Sequence, residues 1–258
     1  MHTYILEAHR GVGTEFPENT MPAFRAALEQ GYGMIELDTK FTADNRCILH
    51  HDATVNRMAR TPDGFPLEKD TPVSSLTLAE LEELDYGIAK DEKFRGTKVC
   101  RIEEVLAFAG ENRIPLKFDN VIQRHTEEQL SIFFAAIDAS GAADYVQFTA
   151  NSVEFIKKLL ARFPKAQIHY DGAVSAEKLA ELGTVVPGDQ LTVWLRFDNK
   201  HTSWNKTPPV NESLSAMVRQ YGRLGVWILD SESELRDAVE KYRADIIETD
   251  GRLKPVEI

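Results

Sequence analysis

The chain has 258 residues and a formal net charge of −11. That length fits one domain of the size of an eight-stranded β/α barrel, about 250 residues, or two smaller domains. The acidic balance argues against a nucleic-acid partner, which requires a basic patch. It still allows a small anionic substrate, because a few local cations can reverse the field in a cleft.

The cysteines and the apolar runs place the chain among cytoplasmic proteins. Cys47 and Cys100 have neither the spacing of a metal site nor the number needed for a disulfide framework. No apolar run reaches the roughly 20 residues of a membrane span, and the N-terminus lacks the pattern of a secretion signal. We therefore expect a cytoplasmic protein with reduced thiols and no membrane span.

The first 40 residues predict a strand, a helix and a second strand. An apolar strand at residues 4–6 ends just before His9 and Arg10, and a helix capped by Asn19 or Thr20 follows. The second strand covers residues 34–39.

Glu36 and Asp38 in this second strand point to one face, because strand side chains alternate. Two carboxylates opposite a His-Arg pair indicate a site for a hard metal ion beside an acid/base group.

Residues 40–101 are long, polar and irregular, and we interpret them as an insertion with too few apolar residues for a core of its own. Residues 47–50 predict a brief strand, and the Thr77–Glu80 capping box predicts a helix start.

Helices and strands alternate regularly from Ile102 onward. The predicted helices are 102–112, 127–140, 152–162, 176–182, 212–221 and 232–242, and the predicted strands are 115–119, 145–148, 167–170, 191–196, 225–229 and 246–248. With the first two strands this makes eight, which predicts an α/β fold: a single (β/α)8 TIM barrel over 1–258 with an insertion after the second strand. An open doubly wound sheet is the alternative, but no Gly-rich phosphate loop follows the first strand.

Polar residues occupy the predicted strand ends, where a β/α barrel has its active site. They are His9 and Arg10, Glu36 and Asp38, Asp119 and Asn120, Thr149, Tyr170 and Asp171, Arg196 and Asp198, Asp230, and Glu248 to Asp250. We interpret Asp230 as a helix N-cap, and Asp171 and Asp198 as either caps or site residues.

Three of these carboxylates, Glu36, Asp38 and Asp119, are predicted to lie within strands, where no cap is needed. They would bind Mg²⁺ or Ca²⁺, which prefer oxygen ligands, or form part of a salt-bridge network.

The adjacent histidines His50 and His51 face opposite ways in an extended chain, so one of them can point into the site. His169 alternates with apolar residues in a strand, which is typical of an interior histidine with its hydrogen bonds satisfied.

Several motifs together closely resemble the glycerophosphodiester phosphodiesterase family, densely over the first 120 residues and thinly afterwards. They are His9-Arg10-Gly11, Pro17-Glu18-Asn19-Thr20, Ile35-Glu36-Leu37-Asp38, His51-Asp52 with Arg57, Leu84-Asp85 with Gly87, Ile102 to Leu106, and Ala244 to Asp250. The resemblance implies a divalent cation held by Glu36, Asp38 and an acid of the third strand. It also implies that His9 and His51 act as base or nucleophile and as general acid.

Two further residues acquire roles from the resemblance. It implies that Arg10 binds the substrate phosphate, and that Glu18 contacts the site or orients Arg10 from behind.

One departure from the family concerns the third strand, where the usual Glu-x-Lys is replaced. Asp119 aligns with the acid, and Val121 stands where the phosphate-binding lysine belongs. Lys117 shares their strand face one layer lower, so it can either rise to the phosphate or form a structural ion pair. Its nearest partners by layer are expected to be Glu36, Asp119 and Glu248.

The function that the resemblance implies is metal-dependent hydrolysis of glycerophosphodiesters to an alcohol and glycerol 3-phosphate. The alternatives are a hydrolase or cyclising lyase for a sugar- or lysophospholipid-type phosphodiester, and a non-catalytic phosphate-ligand binder.

Overall fold

The computed structural model describes residues 2–197 and 207–255. Within them the chain forms eleven strands: β1 (Ile5–Ala8), β2 (Met34–Leu37), β3 (Thr39–Phe41), β4 (Cys47–Leu49), β5 (Cys100–Arg101), β6 (Leu116–Phe118), β7 (Val146–Ala150), β8 (Gln167–Tyr170), β9 (Leu191–Arg196), β10 (Arg223–Trp227) and β11 (Ile246–Thr249). Eight of these close a parallel barrel in the order β1-β2-β6-β7-β8-β9-β10-β11. This confirms the predicted barrel and excludes the open sheet.

Helices follow most barrel strands and cover the outside of the barrel, except for a short one in the segment between β4 and β5. They are α1 (Met21–Glu29), α2 (Leu78–Glu83), α3 (Ile102–Asn112), α4 (Glu127–Ser140), α5 (Val153–Arg162), α6 (Ala176–Gly183), α7 (Glu212–Val218) and α8 (Glu232–Arg236). The predicted bounds of α3 and α4 are confirmed, whereas the predicted helix 232–242 ends at Arg236 and continues as a π-helical turn, Asp237–Lys241. Among the described residues, no helix is long and apolar enough to cross a membrane.

The segment between β2 and β6 has a core of its own, which corrects the expectation of too few apolar residues. Strands β3, β4 and β5 form a small antiparallel sheet there. A separate cluster of nine buried residues packs beside it: Ile48, Val55, Met58, Ala59, Val73, Leu78, Leu81, Tyr86 and Val99. The Thr77–Glu80 capping box is present at the start of α2, as the sequence predicts.

Candidate active site

A cavity of about 1090 Å³ opens at the carboxyl ends of the barrel strands. Parallel strands end at one edge, so residues far apart in sequence meet there. All the site residues proposed from sequence line it: His9, Arg10, Glu18, Glu36, Asp38, His51, Lys117 and Asp119.

His9 follows β1 directly, and Asp250 fixes its orientation from the end of β11. The Nδ1 atom of His9 lies 2.6 Å from Asp250 Oδ1, and its Nε2 lies 3.8 Å from Glu36 Oε2. Burial alone would lower the pKa of His9, but the hydrogen bond with Asp250 and the charge of Glu248 raise it overall.

Arg10 is held in a tight turn at the strand end, with a φ of 55°. Its backbone N–H donates to Glu36 Oε2 at 3.1 Å, and its guanidinium lies 3.1 Å from Glu18 and 3.3 Å from Asp38. Gly11 lets the turn approach α1, since a Cβ there would lie 2.8 Å from the Ala23 Cβ.

Glu18 links the two histidine sites through arginines. It accepts hydrogen bonds from Arg57 at 2.6 and 3.0 Å, and Arg57 Nε also donates to Asp52 at 2.6 Å. Asp52 in turn lies 2.7 Å from His51 Nδ1, so each candidate catalytic histidine contacts an aspartate. Burial raises the pKa of Asp52, but Arg57 and His51 lower it overall.

The three candidate metal ligands have different local supports. The Asn19 amide binds both the side chain and the backbone of Asp38. It donates to Asp38 Oδ2 at 2.9 Å and accepts from the Asp38 backbone N–H at 3.1 Å. Asp119 lies just beyond β6 and accepts from the backbone N–H of Val121 at 3.2 Å, capping a short 3₁₀ helix. The expectation that Asp119 lies within a strand and needs no capping role is therefore wrong, and Asp38 also lies outside a strand, between β2 and β3.

The three candidate ligands crowd negative charge together, which a divalent cation would offset. Burial and the charge of Asp38 raise the pKa of Glu36 well above its usual range, and the same two causes raise that of Asp119. Their donors are all hard oxygens, as Mg²⁺ and Ca²⁺ require. In the described part of the chain, no three His, Cys, Asp or Glu side chains are already arranged to hold a metal ion.

Lys117 is buried in the barrel beneath the site. Its ammonium bonds Glu7 at 2.8 Å and Glu248 at 2.5 Å, and lies 3.8 Å from the centre of the Trp194 ring. Of the partners expected from sequence, only Glu248 forms an ion pair with Lys117. The second ion pair is with Glu7, which lies at the same level of β1. Burial raises the pKa of Glu7 to about 8, although Lys117 opposes this. The hydrophobic Val121 lines the cavity above.

The other acidic strand ends differ from their expected roles. Ser175 and Ser231 cap α6 and α8, so the cap interpretation of Asp230 is wrong and that of Asp171 is excluded. Asp171 lines the cavity, bonded by the Asn120 amide, and burial and Asp119 raise its pKa to about 6. Asp198 lies outside the described residues.

His50, His51 and His169 lie as the sequence predicts. His50 points away from the cavity and donates to the Thr54 carbonyl at 3.0 Å, while His51 faces the cavity. His169 is fully buried between Gln147 and Trp194, with hydrogen bonds of 2.6 and 3.0 Å.

Sequence reasoning missed Glu7 and the pairing of His9 with Asp250. Glu7 lies inside an apolar strand. The only sequence signal for its ion pair is that a charged residue buried in such a strand needs a partner of opposite charge. Asp250 belongs to a recognised motif, but nothing in the sequence links it to a histidine 241 residues away.

The glycerophosphoryl diester phosphodiesterase family matches residues 9–250. A glycerophosphodiester phosphodiesterase of Caldanaerobacter subterraneus is 31% identical over 184 residues, covering 70% of this chain and 72% of the relative. A relative of that activity from Bacillus altitudinis is 35% identical over 121 residues, covering 46% of each chain. Several other curated relatives are matched over less than half of their length.

Solved structures show the same fold. A phosphodiesterase from Oleispira antarctica, in complex with the product sn-glycerol-3-phosphate, has a TM-score of 0.71 and 17% identity, covering 97% of this chain and 94% of that one. A glycerophosphoryl diester phosphodiesterase from Parabacteroides distasonis has a TM-score of 0.72 and 19% identity, covering 96% and 83%.

The family match begins at His9 and ends at Asp250, the two residues that bond across the barrel closure. It therefore spans all eight barrel strand ends and the cavity they enclose. It confirms the resemblance seen in the motifs and the expectation of a phosphoric diester hydrolase. The chain belongs to the glycerophosphoryl diester phosphodiesterase family.

Proposed function

We propose that the protein hydrolyses glycerophosphodiesters to an alcohol and glycerol 3-phosphate, with a divalent cation, His9 and His51 as the working groups. The observation that carries this is the matched setting of the two histidines in one cavity. Each has its Nδ1 on an aspartate, Asp250 for His9 and Asp52 for His51. That contact fixes the orientation of each ring and leaves Nε2 for proton transfer.

The two histidines differ in surroundings, which suggests their division of labour. The His9 side chain is 15% exposed and borders Glu36, whereas the His51 side chain is 42% exposed at the mouth. His9 therefore acts at the phosphorus as base or nucleophile. His51 donates a proton to the departing alcohol, which leaves toward solvent.

Arg10 is positioned to bind the phosphate. Its backbone and guanidinium are fixed by Glu36, Glu18 and Asp38, so the side chain loses little freedom when it meets an anion. A guanidinium can offer two parallel N–H groups to a phosphate, which stabilises the charge of the transition state. Glu18 holds Arg10 from behind, and Lys117, which pairs with Glu7 and Glu248 beneath the site, offsets part of the negative charge there.

Glu36, Asp38 and Asp119 would hold Mg²⁺ or Ca²⁺. Such a cation supplies Lewis-acid stabilisation of charge on the phosphoryl oxygens. The three carboxylates also orient the chain's own cations, since Glu36 and Asp38 both contact Arg10.

The test is turnover of a panel of phosphodiesters, including sugar- and lysophospholipid-type diesters, with and without a chelator. We expect glycerophosphodiesters to be cleaved, activity to stop on chelation, and His9→Ala and His51→Ala to lower kcat by about 10²–10⁴-fold. His2→Ala is the control, because His2 contacts Ala244 and Asp245 away from the cavity.

Each competing function gives a different result. A cyclic phosphate product indicates a lyase, and preference for another diester reassigns the substrate. Binding of diesters without turnover indicates a non-catalytic binder. Wild-type rates for either histidine variant show that its role is misassigned.

A further inference from the structure

Two cationic side chains on the cavity wall have no role in the function proposed above. Five lysines and arginines line the cavity, and three of them are already paired: Arg10 with Glu18, Lys117 with Glu7, and Lys178 with Glu181. The other two are Lys40 and Arg124. Neither side chain forms a hydrogen bond or an ion pair with any other residue that the structure describes.

The fold places Lys40 and Arg124 on the same wall of the cavity. Lys40 is the middle residue of β3, and Arg124 ends the 3₁₀ helix that Asp119 caps. The neighbours of the two residues, Thr39 and His125, are joined by a side-chain hydrogen bond of 2.8 Å. The His125 ring also packs edge-on against Phe41, with ring centres 4.9 Å apart. The two cations are therefore held on one wall by buried contacts on either side of Lys40.

This wall lies on the side of the cavity where the alcohol would leave. Strand β3 pairs with β4, and His51 follows β4 after a backbone bond of 3.0 Å from His50 N–H to the Asp38 carbonyl. The charges of Asp38, Asp119 and Asp52 all act on Lys40, and Asp52 is the partner of His51. Under the proposed function His51 protonates the departing oxygen, so groups beside His51 contact the alcohol part of the substrate.

The rest of the cavity would repel a second negative charge. Seven carboxylates line it: Glu18, Glu36, Asp38, Asp119, Asp171, Glu248 and Asp250. A second anionic group would therefore be repelled least beside cations whose side chains form no ion pair. Among the cavity residues that the structure describes, Lys40 and Arg124 meet that condition.

We propose that Lys40 and Arg124 form a subsite for a second anionic group, a carboxylate or a phosphate, carried by the alcohol part of the diester. The inference rests on the proposed function for the direction of the substrate. It makes the protein selective for glycerophosphodiesters with an acidic alcohol over those with a neutral or cationic one. Arg124 can bind such a group through two N–H donors, and Lys40 adds a flexible point charge.

The binding test uses uncleavable phosphonate analogues of glycerol phosphate esters whose alcohol ends in a carboxylate, a phosphate, a neutral amide or a trimethylammonium group. Calorimetry should show the carboxylate and phosphate analogues binding about 10-fold more tightly than the amide. Lys40→Met and Arg124→Gln should each reduce that ratio severalfold, and the double variant should bring it near one. Comparison of the carboxylate with the phosphate tells which anion the subsite takes.

Matched controls remove the same charges elsewhere. Lys157→Met and Arg25→Gln replace exposed cations on α5 and α1, and they should keep the wild-type ratio. Equal affinity for all four analogues in the wild type overturns the inference. So does an equal loss of affinity for all four in Lys40→Met, which would assign Lys40 to the phosphate common to them.

Turnover of the matching diesters separates this inference from the proposed function. Absence of cleavage combined with a charge preference in binding refutes the proposed activity and keeps the anionic subsite. Cleavage with no charge preference in binding refutes the subsite alone.

Discussion

Asp250 holds the His9 ring from the opposite end of the chain. Strand β11 closes the barrel by pairing with β1, in a register that matches Ile5 with Ile246. Just beyond these strands, the side chains of Asp250 and His9 lie 2.6 Å apart. Because this aspartate holds the ring through Nδ1, it fixes both the tautomer and the direction of Nε2. Asp250 is therefore a positioning residue for His9.

Asp250→Asn should lower kcat by about 10²-fold, since an amide in this place can hold the wrong tautomer of the ring. The hydrogen bond and charge of Asp250 raise the pKa of His9 against the effect of burial. Their loss lowers that pKa, so the limb of the pH–rate profile set by His9 should move to lower pH. The measurement is kcat/KM against pH.

The His9→Ala background provides the control for this positioning role. If Asp250 acts through His9, Asp250→Asn should cost little further activity there. An undiminished extra loss, or an unmoved pH profile in the single variant, would contradict the role.

At the scale of elements, the barrel interior joins three strands through one lysine. Lys117 on β6 bonds Glu7 on β1 and Glu248 on β11, all deeply buried. Removing the lysine leaves the buried Glu248 without its cation and Glu7 without its hydrogen-bond donor, and breaking a buried pair in this way typically costs about 3–5 kcal/mol. Burial lowers the pKa of Lys117, but Glu248 and Glu7 raise it overall, so the ammonium stays charged.

Lys117→Met should lower both the melting temperature and kcat, because it removes charge beneath the phosphate site. The double variant Lys117→Met/Glu7→Gln should regain stability, since an amide at position 7 can donate a hydrogen bond to the Glu248 carboxylate that has lost its cation, but it should not regain kcat. Thermal unfolding and initial rates measure the two effects. Recovery of kcat together with stability would assign Lys117 to a structural ion pair alone.

The insertion has its own organising residue. Asp85 accepts backbone N–H bonds from Gly87 at 2.8 Å, Ile88 at 2.9 Å and Gly96 at 2.5 Å. Gly87 is required beside it, because a Cβ there would lie 1.9 Å from the Phe94 carbonyl oxygen. The Leu84-Asp85 motif with Gly87 is thus explained by its role in the turn after Asp85, where Asp85 binds the backbone of residues 87, 88 and 96.

Asp85→Asn should lower the free energy of unfolding by about 2 kcal/mol, since its amide cannot accept all three bonds. Burial raises the pKa of Asp85, but the three N–H donors lower it overall. The stabilising effect is therefore complete above about pH 4, the unfolded value, and is lost as the pH falls through the lower folded value.

Denaturant titration at pH 7 and pH 3 measures this effect, with the exposed Asp70→Asn as control. The gap between wild type and Asp85→Asn should narrow at pH 3. A gap that stays constant or widens there would contradict the mechanism.

The sequence predicts elements better than it predicts contacts. Helices such as Ile102–Asn112 and Glu127–Ser140 carry their own periodicity and caps, so their bounds could be read directly. The core of the insertion could not, because its apolar residues are scattered and meet only through the fold. The positions of the site residues followed from strand ends, whereas the pairings of Lys117 with Glu7 and of His9 with Asp250 depend on barrel closure.

At the scale of the whole molecule, the cavity concentrates negative charge at one end of the barrel. Glu36 and Asp119 have raised pKa values because burial and neighbouring carboxylates disfavour their charged forms. A folded pKa above the unfolded one makes the carboxyl a source of stability at low pH, and that stability is lost as the pH rises above about 4.5. Barrel stability and cation binding are therefore linked through the same side chains.

Mg²⁺ or Ca²⁺ should raise the melting temperature of chelator-treated protein, and the rise should be larger at pH 8 than at pH 5. The reason is that the cation replaces the protons that Glu36 and Asp119 otherwise retain. At 100 times its dissociation constant a ligand contributes about 2.7 kcal/mol, or roughly 5–10 °C for a chain of this size. Glu36→Gln should reduce this response sharply and should itself stabilise the cation-free protein at pH 8. The exposed Glu128→Gln on α4 serves as control and should respond as the wild type does. An equal rise in melting temperature for Glu36→Gln and wild type would remove Glu36 from the ligand set. At equal concentrations, the ion that gives the larger rise is the one that the three carboxylates prefer.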